Sequence, residues 1–290
     1  MNVRKHSLSR RSVTLAAAAW VGVVSLAIGA HAALNMRALD AAKTTEAAQS
    51  VATGNRPSRI ALVIGNGHYP DANAPLTQSI NDARGLSTAL RRNGFDVDVI
   101  EDASKDDMTR AVARLKAKVR PDSVVMLFFG GYGIQVGHES YMIPVDAAIW
   151  RESDVRRNGV SVESVLEVMK ENGACAKLVV LDASRRNPYE RRFRGFSHGL
   201  APIAAPDNAL ILSSATPGQV ADDGKGANSV LVTELLTNIN AQVDKASGAE
   251  AVFDRTRVAI ARASDGEQVP TVSSSLLEDV SLAASDKAGG

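Results

Sequence analysis

The stretch Ala176-Lys177-Leu178-Val179-Val180-Leu181-Asp182-Ala183-Ser184 carries most of the information about the fold. Its first part is mainly apolar and predicts a buried strand, and a carboxylate and a hydroxyl side chain follow at once. A similar apolar run at residues 123–129 leads into Gly130-Gly131-Tyr132-Gly133. Because the carboxyl ends of parallel strands meet at the ligand-binding edge of a sheet, Tyr132 and Ser184 are predicted to share that edge.

From residue 59 onward, apolar runs alternate with amphipathic segments, a pattern typical of an α/β domain with a parallel sheet between two layers of helices. The predicted strands are residues 60–64, 95–100, 123–129, 177–181, 209–213 and 269–272. Four predicted helices are residues 80–93, 162–171, 229–239 and 251–263. A further helix is predicted between the second and third strands and begins at Ser104 or Asp106. A hairpin is predicted at residues 135–145 around Gly137.

The composition limits the possible partners and cofactors. The 290 residues are 45% hydrophobic, as in an ordinary globular protein, and 33 basic against 32 acidic residues give no global field for nucleic acid. We therefore expect no nucleic-acid partner. The single cysteine, Cys175, excludes an intramolecular disulfide and is interpreted as a small buried apolar side chain. No zinc or EF-hand spacing is found, so no metal or cofactor is predicted.

The N-terminal part is predicted to direct the protein out of the cytoplasm. Residues 1–33 contain the twin-arginine-like stretch Ser9-Arg10-Arg11-Ser12, then an apolar segment, then Ala30-His31-Ala32 as a cleavage pattern. An uncleaved membrane anchor is the alternative, since roughly 20 apolar residues span a bilayer. The expected location is exported, either periplasmic or anchored at the outer face of the inner membrane. Residues 34–58 are predicted to be a linker, 59–280 the folded domain and 281–290 a flexible tail.

Several motifs occur in the order known from one protein family: Ala61-Leu62-Val63-Ile64-Gly65-Asn66, Asn81-Asp82-Ala83, Gly133-Ile134-Gln135, Pro144-Val145-Asp146, Leu181-Asp182-Ala183 and Gln268-Val269-Pro270. With them, the chain resembles the orthocaspases, bacterial relatives of metacaspases and caspases. The resemblance implies the caspase/haemoglobinase fold, with a mostly parallel six-stranded sheet and helices on both faces. It also implies a His-Cys dyad that cleaves peptide bonds.

The chain departs from the family at both catalytic positions. Ser184 stands where the family has its cysteine, and Tyr132 stands where it has the histidine, which lies about fifty residues upstream of the cysteine in caspases. A thiol with a pKa near 8.5 is readily activated by imidazole, whereas a hydroxyl needs a base, and a phenol with a pKa of about 10 is a poor one. We expect little or no peptidase activity.

The resemblance also implies a pocket for an Arg or Lys side chain, lined by Asp82 and Asp182. Two carboxylates suit a guanidinium. The alternative is that both residues only cap loops or pair with Arg185 or Arg186. An arginine-rich segment at residues 191–194 is interpreted either as an internal pseudo-ligand or as a solvated loop. Relatives are often monomeric, and some depend on calcium, although this sequence does not show which residues would bind it.

Two functional hypotheses remain from the sequence. The first is an exported pseudoprotease that binds a peptide or protein partner, with or without exposed Arg or Lys, through the inherited cleft. The second is a hydrolase with altered chemistry at Ser184, for which His68 is the best candidate base. A dinucleotide site at Gly65-x-Gly67 is rejected because Pro70 occupies the third glycine position and no helix follows at once.

Overall fold

The computed structural model describes residues 57–70, 75–185, 188–189, 200, 202–221, 226–241 and 248–282. The predicted export signal or anchor at 1–33, the arginines at 191–194 and residues 283–290 of the predicted tail lie outside these ranges. Within the described ranges, none of the helices combines the length and the apolar character needed to cross a bilayer.

The structure consists of nine strands and six helices within the described residues. The strands are β1 (Arg59–Gly65), β2 (Asp96–Glu101), β3 (Val124–Gly130), β4 (Gly133–Val136), β5 (Glu139–Met142), β6 (Val160–Ser161), β7 (Ala176–Asp182), β8 (Ala209–Ser213) and β9 (Thr271–Ser274). The helices are α1 (Thr77–Arg92), α2 (Lys105–Lys118), α3 (Glu152–Asn158), α4 (Val162–Glu171), α5 (Val230–Asn240) and α6 (Ala249–Ala263).

A six-stranded sheet in the order β2-β1-β3-β7-β8-β9 forms the centre of the fold. Its strands are parallel except for β9, which is antiparallel to β8. The predicted mostly parallel six-stranded sheet is therefore confirmed. The predicted hairpin is also present, because β4 and β5 pair around Gly137, which has a φ of +66° that suits glycine.

Alternate side chains of the central strands enter two separate cores. Ile60, Leu62 and Ile64 of β1 pack in the core shared with α2 and α4. Ala61 and Val63 pack in the core shared with α1, α5 and α6. A strand covered on both faces has no polar side, which explains why β1, β3 and β7 are nearly continuous apolar runs. The predicted helical layers on both faces are thus confirmed.

Three predictions about elements are corrected by the structure. α1 begins at Thr77, three residues before its predicted start, because its first turn buries Gln78 and Ser79, which the apolar pattern does not mark. The short α3 and β6 lie in a segment that was predicted to be a polar connection. β9 covers Thr271–Ser274, and its predicted range of 269–272 was two residues early.

Close packing fixes α1 over the carboxyl end of the sheet. A Cβ atom on Gly65, the last residue of β1, would lie only 2.6 Å from the carbonyl oxygen of Ser79. The strand register sets Gly65 beside Gly130 and Gly130 beside Asp182. The first turns of α1 therefore lie beside the ends of β1 and β3, next to the segment with Ser184.

Candidate functional site

Tyr132 and Ser184 lie on two adjacent loops at the carboxyl edge of the sheet, as predicted. The amide of Gly131 donates a hydrogen bond to the carbonyl oxygen of Asp182 at 3.3 Å. The amide of Gly133 donates to the carbonyl oxygen of Ala183 at 3.1 Å. The loop after β3 is thus joined by its backbone to the loop after β7. Within the described part of the chain, no hydrogen bond directly joins the Tyr132 and Ser184 side chains.

Tyr132 is part of a buried aromatic cluster. Its ring meets the ring of Tyr69 edge to face, with 4.8 Å between the ring centres and an angle of 65°. The Tyr132 amide donates to the Tyr69 hydroxyl at 3.1 Å, and that hydroxyl donates to the Ile143 carbonyl oxygen at 2.9 Å. Burial raises the pKa of Tyr69 far above its ordinary value. Tyr69 was not singled out from the sequence, although a tyrosine just after the first strand was the available signal.

Ser184 is almost completely buried, with 1% of its surface exposed. Its amide donates to the hydroxyl oxygen of Ser214 at 3.3 Å, and its carbonyl oxygen accepts from the Ala221 amide at 2.6 Å. Ser214 follows β8, the neighbour of β7, and sequence reasoning missed it because an isolated serine after a strand carries no distinctive pattern. Both the backbone N–H and the backbone carbonyl group of Ser184 are therefore held by hydrogen bonds, and the side chain is shielded from solvent.

Five backbone amides around the two positions donate to acceptors inside the protein. Besides those of Gly131, Tyr132, Gly133 and Ser184, the Arg185 amide donates to the Ala183 carbonyl oxygen at 2.9 Å. Amide hydrolysis needs donors that are directed at the oxyanion of the tetrahedral intermediate. In this structure these five amides make internal hydrogen bonds instead.

Asp82 holds the start of α5 with one oxygen and has no hydrogen-bond partner for the other. Its Oδ1 accepts from the Asn228 amide group at 2.8 Å and from the Ser229 backbone N–H at 3.0 Å. Its Oδ2 is buried without a hydrogen-bond partner. Burial, reinforced by the negative charge of Asp182, raises the pKa of Asp82 to about 7. One predicted alternative, in which Asp82 caps a loop, is thus present in the structure.

Asp182 forms an ion pair with Arg185 three residues later, with 3.1 Å between Oδ2 and Nη2. Both side chains are almost fully buried. The predicted pairing with Arg185 is therefore observed, while Arg186 lies outside the described residues. Capture of a basic side chain from a ligand remains a prediction.

His68 is not placed to activate Ser184. Its Nδ1 lies 2.5 Å from Oδ2 of Asp102, which follows β2, and the imidazole is 73% exposed. β3 separates β1 from β7, so the strands that precede His68 and Ser184 lie roughly 10 Å apart. This hydrogen bond turns the ring toward β2, away from the buried serine.

The cysteine and the remaining histidines of the folded domain lie away from Ser184 or outside the described residues. Cys175, interpreted from the sequence as a small buried apolar side chain, is only partly buried, and this burial raises the pKa of its thiol. His138 is exposed in the turn between β4 and β5, whereas His198 lies outside the described residues. Among the described residues, no group of three or more His, Cys, Asp or Glu side chains is arranged to hold a metal ion.

Sequence comparison finds relatives in animals. The chain is 30% identical over 136 residues to the human mucosa-associated lymphoid tissue lymphoma translocation protein 1. The mouse homologue matches with the same identity over the same length. The matched region is 46% of this chain but only 16% of each relative, so the chain spans a small part of their length.

Structural comparison and family matching agree on the fold. The crystal structure of caspase-1 from Spodoptera frugiperda superposes with a TM-score of 0.59 and 14% identity, covering 79% of this chain and 93% of the insect chain. At this low identity the likeness establishes the fold alone, and it confirms the predicted caspase fold. The caspase domain model matches residues 58–281, which is most of the chain. The chain therefore belongs to the caspase domain family.

Proposed function

We propose that this protein is a non-catalytic member of its family, a pseudoprotease that binds a peptide or protein partner carrying a basic side chain. One observation carries the proposal: five backbone amides around Tyr132 and Ser184 donate to internal acceptors. An oxyanion at this site would have to break those bonds before it could be stabilised.

The side chains at the two positions add to this argument. The Ser184 hydroxyl needs a base to become a nucleophile, and the nearest loop supplies a phenol, a poor proton acceptor at neutral pH. His68 could act as a base, but its hydrogen bond to Asp102 holds it near β2. Loss of a catalytic pair in a serine protease lowers kcat by on the order of a million-fold, and residual binding survives.

The binding part of the proposal rests on Asp82 and Asp182. Both carboxylates are buried at the edge of the sheet, and Oδ2 of Asp82 has no hydrogen-bond partner. An unsatisfied buried acceptor is costly, so a guanidinium or ammonium group that reached this oxygen would gain a charge-assisted hydrogen bond. The site thus favours a basic ligand over a neutral or acidic one.

The location belongs to the proposal as well. The basic residues and apolar segment within 1–33 support an exported protein that acts in the periplasm or at the outer face of the inner membrane. We also propose that the protein is a monomer and that it does not bind nucleic acid.

The experiment is a peptidase assay of the full chain with reporter peptides that end in Arg or Lys. We expect no turnover by the unmodified protein. Turnover that disappears in Ser184→Ala would refute the proposal and establish an altered hydrolase. The double variant Tyr132→His/Ser184→Cys restores imidazole and thiol, and activity in that variant alone would support an inactive native protein with an intact pocket.

A further inference from the structure

Among the residues that the structure describes, the buried charges beside the sheet edge do not balance when every acid is ionised. Asp82 and Asp182 contribute two carboxylates, and Arg185 contributes one guanidinium, which pairs with Asp182. Arg185 and both acids are almost fully buried. An isolated charge in such surroundings is strongly disfavoured, and a carboxyl group commonly avoids it by keeping its proton.

The hydrogen bonds around Asp82 identify where that proton would be. Oδ1 already accepts two hydrogen bonds, from Asn228 and Ser229. Oδ2 accepts none and is inaccessible to solvent. An ionised carboxylate would leave this oxygen unsatisfied at the centre of the cluster, whereas a protonated one carries no charge there.

The elements packed against Asp82 provide no other compensating cation among the described residues. β7 contributes Asp182, whose charge is repulsive, with Arg185 paired to it. The segment before α5 contributes the neutral groups of Asn228 and Ser229. β1 and β3 contribute apolar side chains, and Arg84 of α1 faces outward to Glu101 of β2.

We propose that Asp82 carries a proton in the unliganded protein and that an entering basic side chain displaces it, so that ligand binding releases a proton. This inference rests on the proposed function. In the exchange, the carboxyl O–H bond breaks, the proton passes to water or buffer, and Oδ2 accepts a hydrogen bond from the guanidinium or ammonium group. The total charge of the buried site is unchanged.

The exchange makes affinity depend on pH in a definite direction. Because burial raises the pKa of Asp82 to about 7, the carboxyl group is protonated below neutral pH. Removing this proton then consumes part of the binding free energy. The association constant is expected to fall up to tenfold for each pH unit below about 7 and to level off above it.

The test uses calorimetry of the full chain with an Arg-containing peptide at about pH 6 and about pH 8, in two buffers with different ionisation enthalpies. We expect release of nearly one proton on binding at the lower pH and almost none at the higher pH. A peptide with citrulline, which is neutral, in place of Arg should not bind. Asp82→Asn should remove the proton release, whereas Asp106→Asn, the same change at an exposed site on α2, should preserve it.

Each outcome separates this inference from the function on which it rests. Binding with equal affinity at both pH values and without proton release would overturn the exchange and leave the binding function standing. No binding at either pH would overturn the binding function. In that case the Asp82 carboxyl can be titrated directly by carbon NMR in the unliganded protein. A proton lost well below neutrality would overturn the inference by itself.

Discussion

At the scale of single residues, Asp82 links the proposed site to stability. Its pKa is raised to about 7 in the folded protein, against an ordinary value of 3.8. The folded state therefore retains a proton that the unfolded chain loses as pH rises above 3.8, so this group's contribution to stability decreases through neutrality. Between pH 6 and pH 8 we expect it to lower the free energy of unfolding by about 1 kcal/mol.

Urea unfolding of the native chain and of Asp82→Asn at both pH values measures this effect. The asparagine keeps an oxygen for the hydrogen bonds from Asn228 and Ser229 but cannot titrate. The difference in unfolding free energy between the two proteins should therefore change with pH in favour of Asp82→Asn. Parallel pH profiles would show that Asp82 is already ionised in the folded state.

At the scale of elements, α2 begins with a reciprocal cap that was predicted from the sequence only as a choice between two residues. The Ser104 hydroxyl accepts from the Asp107 amide, while the Asp107 carboxylate accepts from the Ser104 amide, both at 3.2 Å. Ser104→Ala removes one of these bonds, and we expect a loss of about 1 kcal/mol in unfolding free energy. Thermal unfolding of Thr109→Ala, an exposed change on the same helix, serves as the control and should show no comparable loss.

The same helices and strands show what a sequence can and cannot predict. β1, β3 and β7 were predicted nearly to the residue, because strands covered on both faces form continuous apolar runs. The start of α1 was misplaced because Gln78, Ser79 and Asp82 are polar and buried, so they interrupt the apolar stripe. The pattern of apolar residues in a sequence therefore predicts buried positions well only where the buried side chains are themselves apolar.

The candidate site likewise contains features that the sequence predicts and features that it does not. Its two loops were predicted because each directly follows an apolar strand. The hydrogen bonds to Tyr69 and Ser214 were not, because they join residues 63 and 30 positions apart with no periodic relation. The sequence left two alternatives for Asp182, an ion pair with a nearby arginine of the chain or binding of a basic ligand. Spacing alone does not decide between them.

At the scale of the whole molecule, one sheet divides the two cores, and it should also couple them. Leu86 of α1 packs on one face and Leu115 of α2 on the other. Neighbouring residues of each central strand belong to opposite cores, so neither core can be lost while the sheet remains intact. We therefore expect Leu86→Ala and Leu115→Ala each to destabilise the protein by about 2 to 5 kcal/mol within a single cooperative transition.

Leu277→Ala is the matched control, because the same change at a side chain that is 85% exposed should alter the unfolding free energy by less than about 0.5 kcal/mol. Circular dichroism and tryptophan fluorescence should follow coincident unfolding curves in all three variants. A core variant that unfolds in two separate steps would mean that the two faces of the sheet are stabilised independently. A change at one face of the sheet, such as the loss of the proton on Asp82 of α1, would then not be transmitted to the other face.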